Sequence, residues 1–233
     1  MRQLQRLFLL FCLLAALPIS ASERKMLGAH EQKDWQAVGR LNLGDGFCSA
    51  ALIGADLLVT AAHCLYAPRT GARRLADRVH FVAGYRLRRH QGHAQATKIT
   101  LHPDYTFAVK ANSAQISTDL ALVRLNKPFP KINPFRLAPD FKEGEGVAIV
   151  SYGRDRPEIP SIQSPCLVEA ILGAVAVLDC DATYGVSGAP VFRQIDGEWR
   201  IAAVISAIGD YNGGQKAFAV ILGAALGPLL LTP

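Results

Sequence analysis

No segment of this 233-residue chain sustains a helical repeat of apolar residues, and none stays apolar long enough to cross a bilayer as a helix. The five cysteines include no C-x-x-C pair, so the usual zinc-site spacing is missing. There is no internal repeat and no low-complexity tract. Charge of one sign is also scarce. The formal balance is +6, and setting aside Arg2 and Arg6 leaves 23 basic against 19 acidic residues. An excess of that size serves solubility and is no nucleic-acid signature.

What is present begins with an export pattern. Arg2 and Arg6 precede the apolar run Leu7 to Leu17, and "PISAS" supplies small residues for cleavage near Ala21 or Ser22. The expectation is a signal peptide over 1–22 and a secreted or periplasmic mature protein. Cys12 leaves with the signal. Cys48, Cys64, Cys166 and Cys180 remain, an even number that suggests disulfides in an oxidising compartment. Four cysteines allow three pairings. Pairing nearest neighbours closes two short loops, each crosslink contributing roughly 3 kcal/mol in the chain-entropy model.

Short β-type runs alternate with turn signals. "WQAVGRLNL" and "FCSAALIG" flank Asp45-Gly46; "DLLVTAAHC", "VHFVAGYRL", "QATKITLHP" and "DLALVRL" follow. The proline-rich "NKPFPKINPF" reads as a crossing linker. A second series runs "GVAIVSYG", "CLVEAI", "VAVLDC", "APVFRQI", "EWRIAAVISA" and "AFAVILG". Gly173 lies midway between Cys166 and Cys180, and a hairpin turning there brings those sulfurs together. Two series of about six strands predict two all-β barrels. The expected division is 23–126, linker 127–140, and 141–233, the last including an apolar tail interrupted by Gly227-Pro228 and packed on the fold.

Acyl transfer needs a nucleophile, a base, a group that orients the base, and donors for the oxyanion. His63 in "LLVTAAHC" follows a buried strand. Asp119 stands at the entrance to the apolar "LALVRL". Ser187 sits in the glycine-flanked "GVSGAP". Each alone is commonplace; together, in the order His, Asp, Ser and divided between two barrels, they point to a catalytic triad. No histidine follows His102, so an α/β-hydrolase order, with histidine after serine, is excluded. A subtilisin-like order through Asp34 is arithmetically possible, but an α/β layout is missing.

These motifs, with "ATKITLHPDY", "CDATYGVSGAPV" and "IAAVIS", resemble the chymotrypsin-like (trypsin-like) serine proteases, and among them the bacterial secreted branch that includes glutamyl endopeptidases. The resemblance runs from Trp35 to about Leu222. It implies two six-stranded antiparallel β-barrels with the active site in the cleft between them. It implies His63 as general base, Asp119 as its orienter and Ser187 as nucleophile. The N–H groups of Gly185 and Ser187 are implied as the oxyanion hole, and Asp181 and Ser206 as substrate-binding residues. Asp181 falls where trypsin-like members keep a buried carboxylate for Lys or Arg. Ala207 and Ile208 replace the common pocket-wall residues, and Ile208 narrows a pocket toward small or apolar side chains.

One position departs from the family pattern. Zymogen-activated members place an aspartate before the nucleophile, and a freed N-terminal amine pairs with it. Here the residue is Val186, and "KMLGAHEQ" is only a distant echo of the usual Ile-Val-Gly-Gly start. The expectation is an enzyme that needs no such pair, and no cut behind Lys25, to become competent. The alternative is a protease-like fold that binds peptides without cleaving them. Arg86, Arg88, Arg89, His90 and His93 read as a solvated basic loop rather than a polyanion or zinc site. No cofactor or metal is implied. The expected partners are protein or peptide substrates, with no nucleic acid and no membrane span, for a monomer.

Overall fold

The computed structural model describes residues 23–230; the signal expected over 1–22 lies outside the described residues. The strands of the first barrel are β2 (Val38–Asn42), β3 (Phe47–Gly54), β4 (Leu57–Thr60), β5 (His80–Ala83), β6 (Gly92–Leu101) and β7 (Ala121–Leu125), after a short β1 (Lys25–Met26). The barrel closes in the order β2-β3-β4-β7-β6-β5. Period-two alternation puts Leu41, Ala50, Leu52, Leu58, Phe81 and Val123 into its core, each fully buried.

The second barrel comprises β8 (Gly146–Gly153), β9 (Arg156–Leu172), β10 (Val175–Leu178), β11 (Pro190–Ile195), β12 (Glu198–Tyr211) and β13 (Gly214–Ile221). They pair antiparallel as β9-β10-β13-β12-β11-β8, and β8 pairs β9 again to close the ring. β1 adds to β9 outside the ring, with Lys25 opposite Ile162 and Met26 opposite Ser161.

Turn chemistry matches the sequence. Asp196 and Gly197 both take positive φ (52° and 80°) in the β11–β12 hairpin, the geometry for which Asp-Gly is favoured. Gly173 turns β9 into β10 with φ 64°. The disulfides are Cys48–Cys64 and Cys166–Cys180. The proline-rich crossing is pinned at both ends. Phe135 N–H donates to the Leu52 carbonyl of the first barrel, and Leu137 bridges Ile201 of the second. Trp35 packs edge-on to Phe192 at 4.9 Å, and Phe135 at 4.6 Å, so aromatic rings seal the joint.

The apolar tail forms helix α2 (Leu222–Leu230), burying Leu222, Ala225, Leu226 and Leu229. A second, one-turn helix, α1 (Ser113–Ser117), is capped by Asn112 and Gln115 in a reciprocal capping box just before Asp119. Among the described residues no helix is long and apolar enough to cross a membrane.

Candidate active site

His63 rides on a 3-10 turn, Ala62–Leu65, that follows β4. The Cys48–Cys64 disulfide ties that turn to β3. Asp119 stands two residues before β7, and is 3% exposed. A carboxylate that deep needs donors, and it has three. The His63 N–H donates to Oδ1 at 2.7 Å, His63 Nδ1 lies 2.6 Å from Oδ2, and the Ser206 hydroxyl donates to Oδ2 at 2.5 Å. The carboxylate therefore fixes both the backbone and the ring of His63. Nδ1 carries the proton in this contact, which leaves Nε2 with a free lone pair; Nε2 lies 3.8 Å from Cys64 Sγ. Burial favours the uncharged ring, but the charge and hydrogen bond of Asp119 outweigh it and hold His63 above its ordinary value.

Ser187 occupies the bend between β10 and β11 and is half-buried. Its loop is fastened to the first barrel through Ser49 of β3. The Ser49 N–H donates to the Ser187 carbonyl at 2.9 Å. The Ser49 hydroxyl lies 3.2 Å from the Gly185 carbonyl and accepts the Tyr152 N–H at 2.9 Å. Gly188 has φ +77°, and a Cβ there would meet Thr60 Oγ1 and the Ser49 carbonyl, and lie 3.2 Å from the Ala61 nitrogen. The serine loop thus packs directly on the strand end that leads to His63. Within the loop Val186 N–H donates to Thr183, Gly188 N–H to Ile205 and Ala189 N–H to Val186. Among the described residues, the N–H groups of Gly185 and Ser187 donate to no protein acceptor, and the Ser187 hydroxyl makes no hydrogen bond. Gly185 has φ +93°, a conformation that favours glycine, and a Cβ there would crowd Phe47 at 2.8 Å.

Val186 is 1% exposed and belongs to the core of the second barrel. The valine side chain points into apolar packing, and the chain around Lys25 and Met26 is engaged as strand β1 instead.

Among the expected substrate-binding residues, Ser206 is buried and serves Asp119 through its hydroxyl. Asp181 is exposed, and its N–H donates to Gln163 Oε1 at 2.9 Å. The floor of a pocket for a cationic side chain calls for a buried carboxylate, and Asp181 does not have that burial. Of the basic segment read as a loop, His93 instead belongs to β6, and its Nε2 lies 3.1 Å from Nδ1 of His80 in β5. Two groupings have metal-ligand spacing among the described residues, Cys48–His63–Cys64 and Cys166–Asp179–Cys180. In both, the cysteines are spent in disulfides and offer no thiolate.

Sequence reasoning missed Ser49. Its signal was a lone hydroxyl inside the apolar "FCSAALIG", where a buried polar side chain requires partners. Arg24 was also missed; it forms an ion pair with Asp155 at 2.5 Å.

Comparison with known proteins agrees with this geometry. A family model described as Trypsin matches residues 27–221. Transmembrane protease serine 7 of Mus musculus is 26% identical over 199 residues, covering 70% of this chain and 22% of that protein. Brachyurin of Leptuca pugilator is 30% identical over 146 residues, covering 60% and 59%. The chain thus spans less than two thirds of the length of these relatives. A solved structure of a Glu endopeptidase in complex with MPD superposes with a TM-score of 0.74 at 16% identity, covering 90% of this chain and 95% of that one.

Proposed function

The chain belongs to the trypsin family, and on that premise we propose that it is a serine endopeptidase of the bacterial, exported kind. In this reading the Ser187 Oγ attacks the scissile carbonyl as its proton passes to His63 Nε2. The imidazolium, held by Asp119, then protonates the departing amine. Water repeats the sequence on the acyl-enzyme and releases the acid. The N–H groups of Gly185 and Ser187 receive the oxyanion, each worth about 100–1000-fold in rate. The observation that carries the proposal is the doubly anchored His63–Asp119 pair, with a serine loop packed on the strand end that leads to His63 and two backbone donors left over.

Burial of Val186 supports a site that forms without a freed amine, and so needs no cut behind Lys25. Two disulfides support export to an oxidising compartment. Exposure of Asp181 favours small or apolar residues over basic ones before the scissile bond. The free Ser187 hydroxyl favours a second reading, a peptide-binding module that has kept the fold.

Mass spectrometry after treatment with a serine-reactive fluorophosphonate separates the two. The enzyme reading expects one adduct on Ser187, absent in Ser187→Ala. A folded protein that takes no adduct overturns it in favour of the binding module.

A further inference from the structure

The aspartate–amine pair of zymogen-activated proteases braces the loop beside the nucleophile. Here Val186 leaves no aspartate for such a pair, yet a cation from the N-terminal segment pairs with the turn that lies against that loop. Arg24 precedes β1, and its side chain is only 11% exposed. Its Nη2 meets Asp155 Oδ2 at 2.5 Å, while Nη1 is buried without a hydrogen-bond partner. The Arg24 carbonyl accepts from Arg156 Nη1 at 2.6 Å, and Leu27 N–H donates to the Pro160 carbonyl at 2.9 Å. The segment is therefore held at Arg24 and again three residues later at Leu27.

Asp155 belongs to the turn that joins β8 to β9, and this turn lies against the serine loop. Arg154 N–H donates to the Tyr184 carbonyl at 2.7 Å, and the Arg154 guanidinium stands 5.0 Å over the Tyr184 ring. A Cβ on Gly153 would lie 2.5 Å from Arg24 Nη1 and 3.1 Å from Thr183 Cγ2, so these groups converge with no room between them. A Cβ on Gly185 would lie 3.1 Å from the Arg154 nitrogen. The path from guanidinium to the proposed oxyanion donor is Arg24, Asp155, Arg154, Tyr184, Gly185, and each step is a covalent neighbour or a direct contact.

We propose that Arg24, paired with Asp155, is the positioning residue that holds the 153–156 turn against the serine loop and so sets the oxyanion donors. It replaces a cleavage-generated amine with a side chain encoded in the N-terminal segment. The inference rests on the endopeptidase reading, and its test is built to fail separately from it.

The test compares Arg24→Ala, Arg24→Lys, Asp155→Asn and the Arg24→Ala/Asp155→Asn double variant, with Lys25→Ala as control for an exposed strap charge. Displacing a catalytic group by ~1 Å can cost about a hundredfold. Arg24→Ala and Asp155→Asn should each slow fluorophosphonate labelling and kcat by about 10- to 100-fold. KM should stay within about twofold, since bound substrate is not what the latch holds. The double variant should be no worse than the worse single one, because both break the same contact. Arg24→Lys should recover part of the loss, and Lys25→Ala should match wild type. Hydrogen exchange in an Ser187→Ala background gives a readout independent of catalysis. Arg24→Ala and Asp155→Asn should raise exchange in 181–188 and leave β10 and β13 protected. Wild-type rates in a folded Asp155→Asn, or a loss of activity that follows global unfolding with no local change in 181–188, would overturn the latch. An inert wild type whose loop still loosens in Arg24→Ala would sink the endopeptidase reading and leave the latch standing.

Discussion

Burying a charge at position 186 tests the proposal that this site forms without an aspartate there. Val186 is 1% exposed within an apolar core. Removing its isopropyl group forfeits about 1.5–3 kcal/mol of burial. An aspartate in its place faces the further cost of an uncompensated carboxylate. Such a group escapes by holding its proton, its pKa climbing by about 3–5 units. Taking ~3.9 for the unfolded chain and about 8 for the folded one, the unfolded state releases the proton above pH ~4 while the folded state keeps it. Folding then loses about 4 kcal/mol at pH 7, but only about 0.5 kcal/mol at pH 4. Val186→Asn carries nearly the same shape and polarity without the titration. Urea unfolding of Val186→Asp and Val186→Asn between pH 4 and 7 should show a gap that opens with pH toward about 4 kcal/mol. This is a large share of the roughly 5–15 kcal/mol that stabilises an ordinary domain. A gap that stays below ~1 kcal/mol at pH 7 would refute the reasoning. It would mean that a cation reaches position 186 and that an ion-pair site survives there after all.

Further outcomes follow from the Asp119 contacts. His63 must be neutral to act as a base, and Asp119 lifts it above its ordinary value despite burial, so kcat/KM should rise through a midpoint above ~6.5. The same raised value means that the His63–Asp119 contact stabilises the fold fully below pH ~6.5 and loses that contribution as pH rises through the folded value. Asp119→Asn leaves burial as the dominant influence, so the midpoint should drop below ~6.5 while kcat falls by about 10⁴-fold; an unmoved midpoint would exclude Asp119 as the cause. Ser206→Ala removes the donor on Asp119 Oδ2 and leaves more of the negative charge to the imidazole. The acid limb should move further up, a shift measurable in the pH–rate profile, and a downward shift would contradict it.

The two barrels were legible because strand ends carry local chemistry. Asp-Gly and Gly173 turns, prolines at the crossing and alternating burial all act within a few residues. Of the three pairings open to four cysteines, the hairpin at Gly173 pointed to Cys166 with Cys180, and that disulfide is present. The helix α2 was not legible, because "LGAALGPLL" is apolar on nearly every side and shows no contrast between faces. Nor was β1, two residues long and defined only by the strand it joins. Asp181 illustrates a different limit. Its position in the chain matches a pocket floor, but the exposure of a loop side chain depends on how distant segments cover it. Ser49, Arg24 and Asp155 act across separations of more than a hundred residues, and no local pattern encodes such partners.

The Ser49 contacts carry a consequence for how the molecule comes into being. Three groups of the second barrel, at Ser187, Gly185 and Tyr152, are satisfied by one residue of the first. The serine loop therefore has no complete set of partners in either half alone. Its shape is a product of docking, complete only when the two barrels are together. A nascent or half-synthesised chain cannot hold that loop as the finished molecule does, so the proposed activity has to wait for the completed architecture.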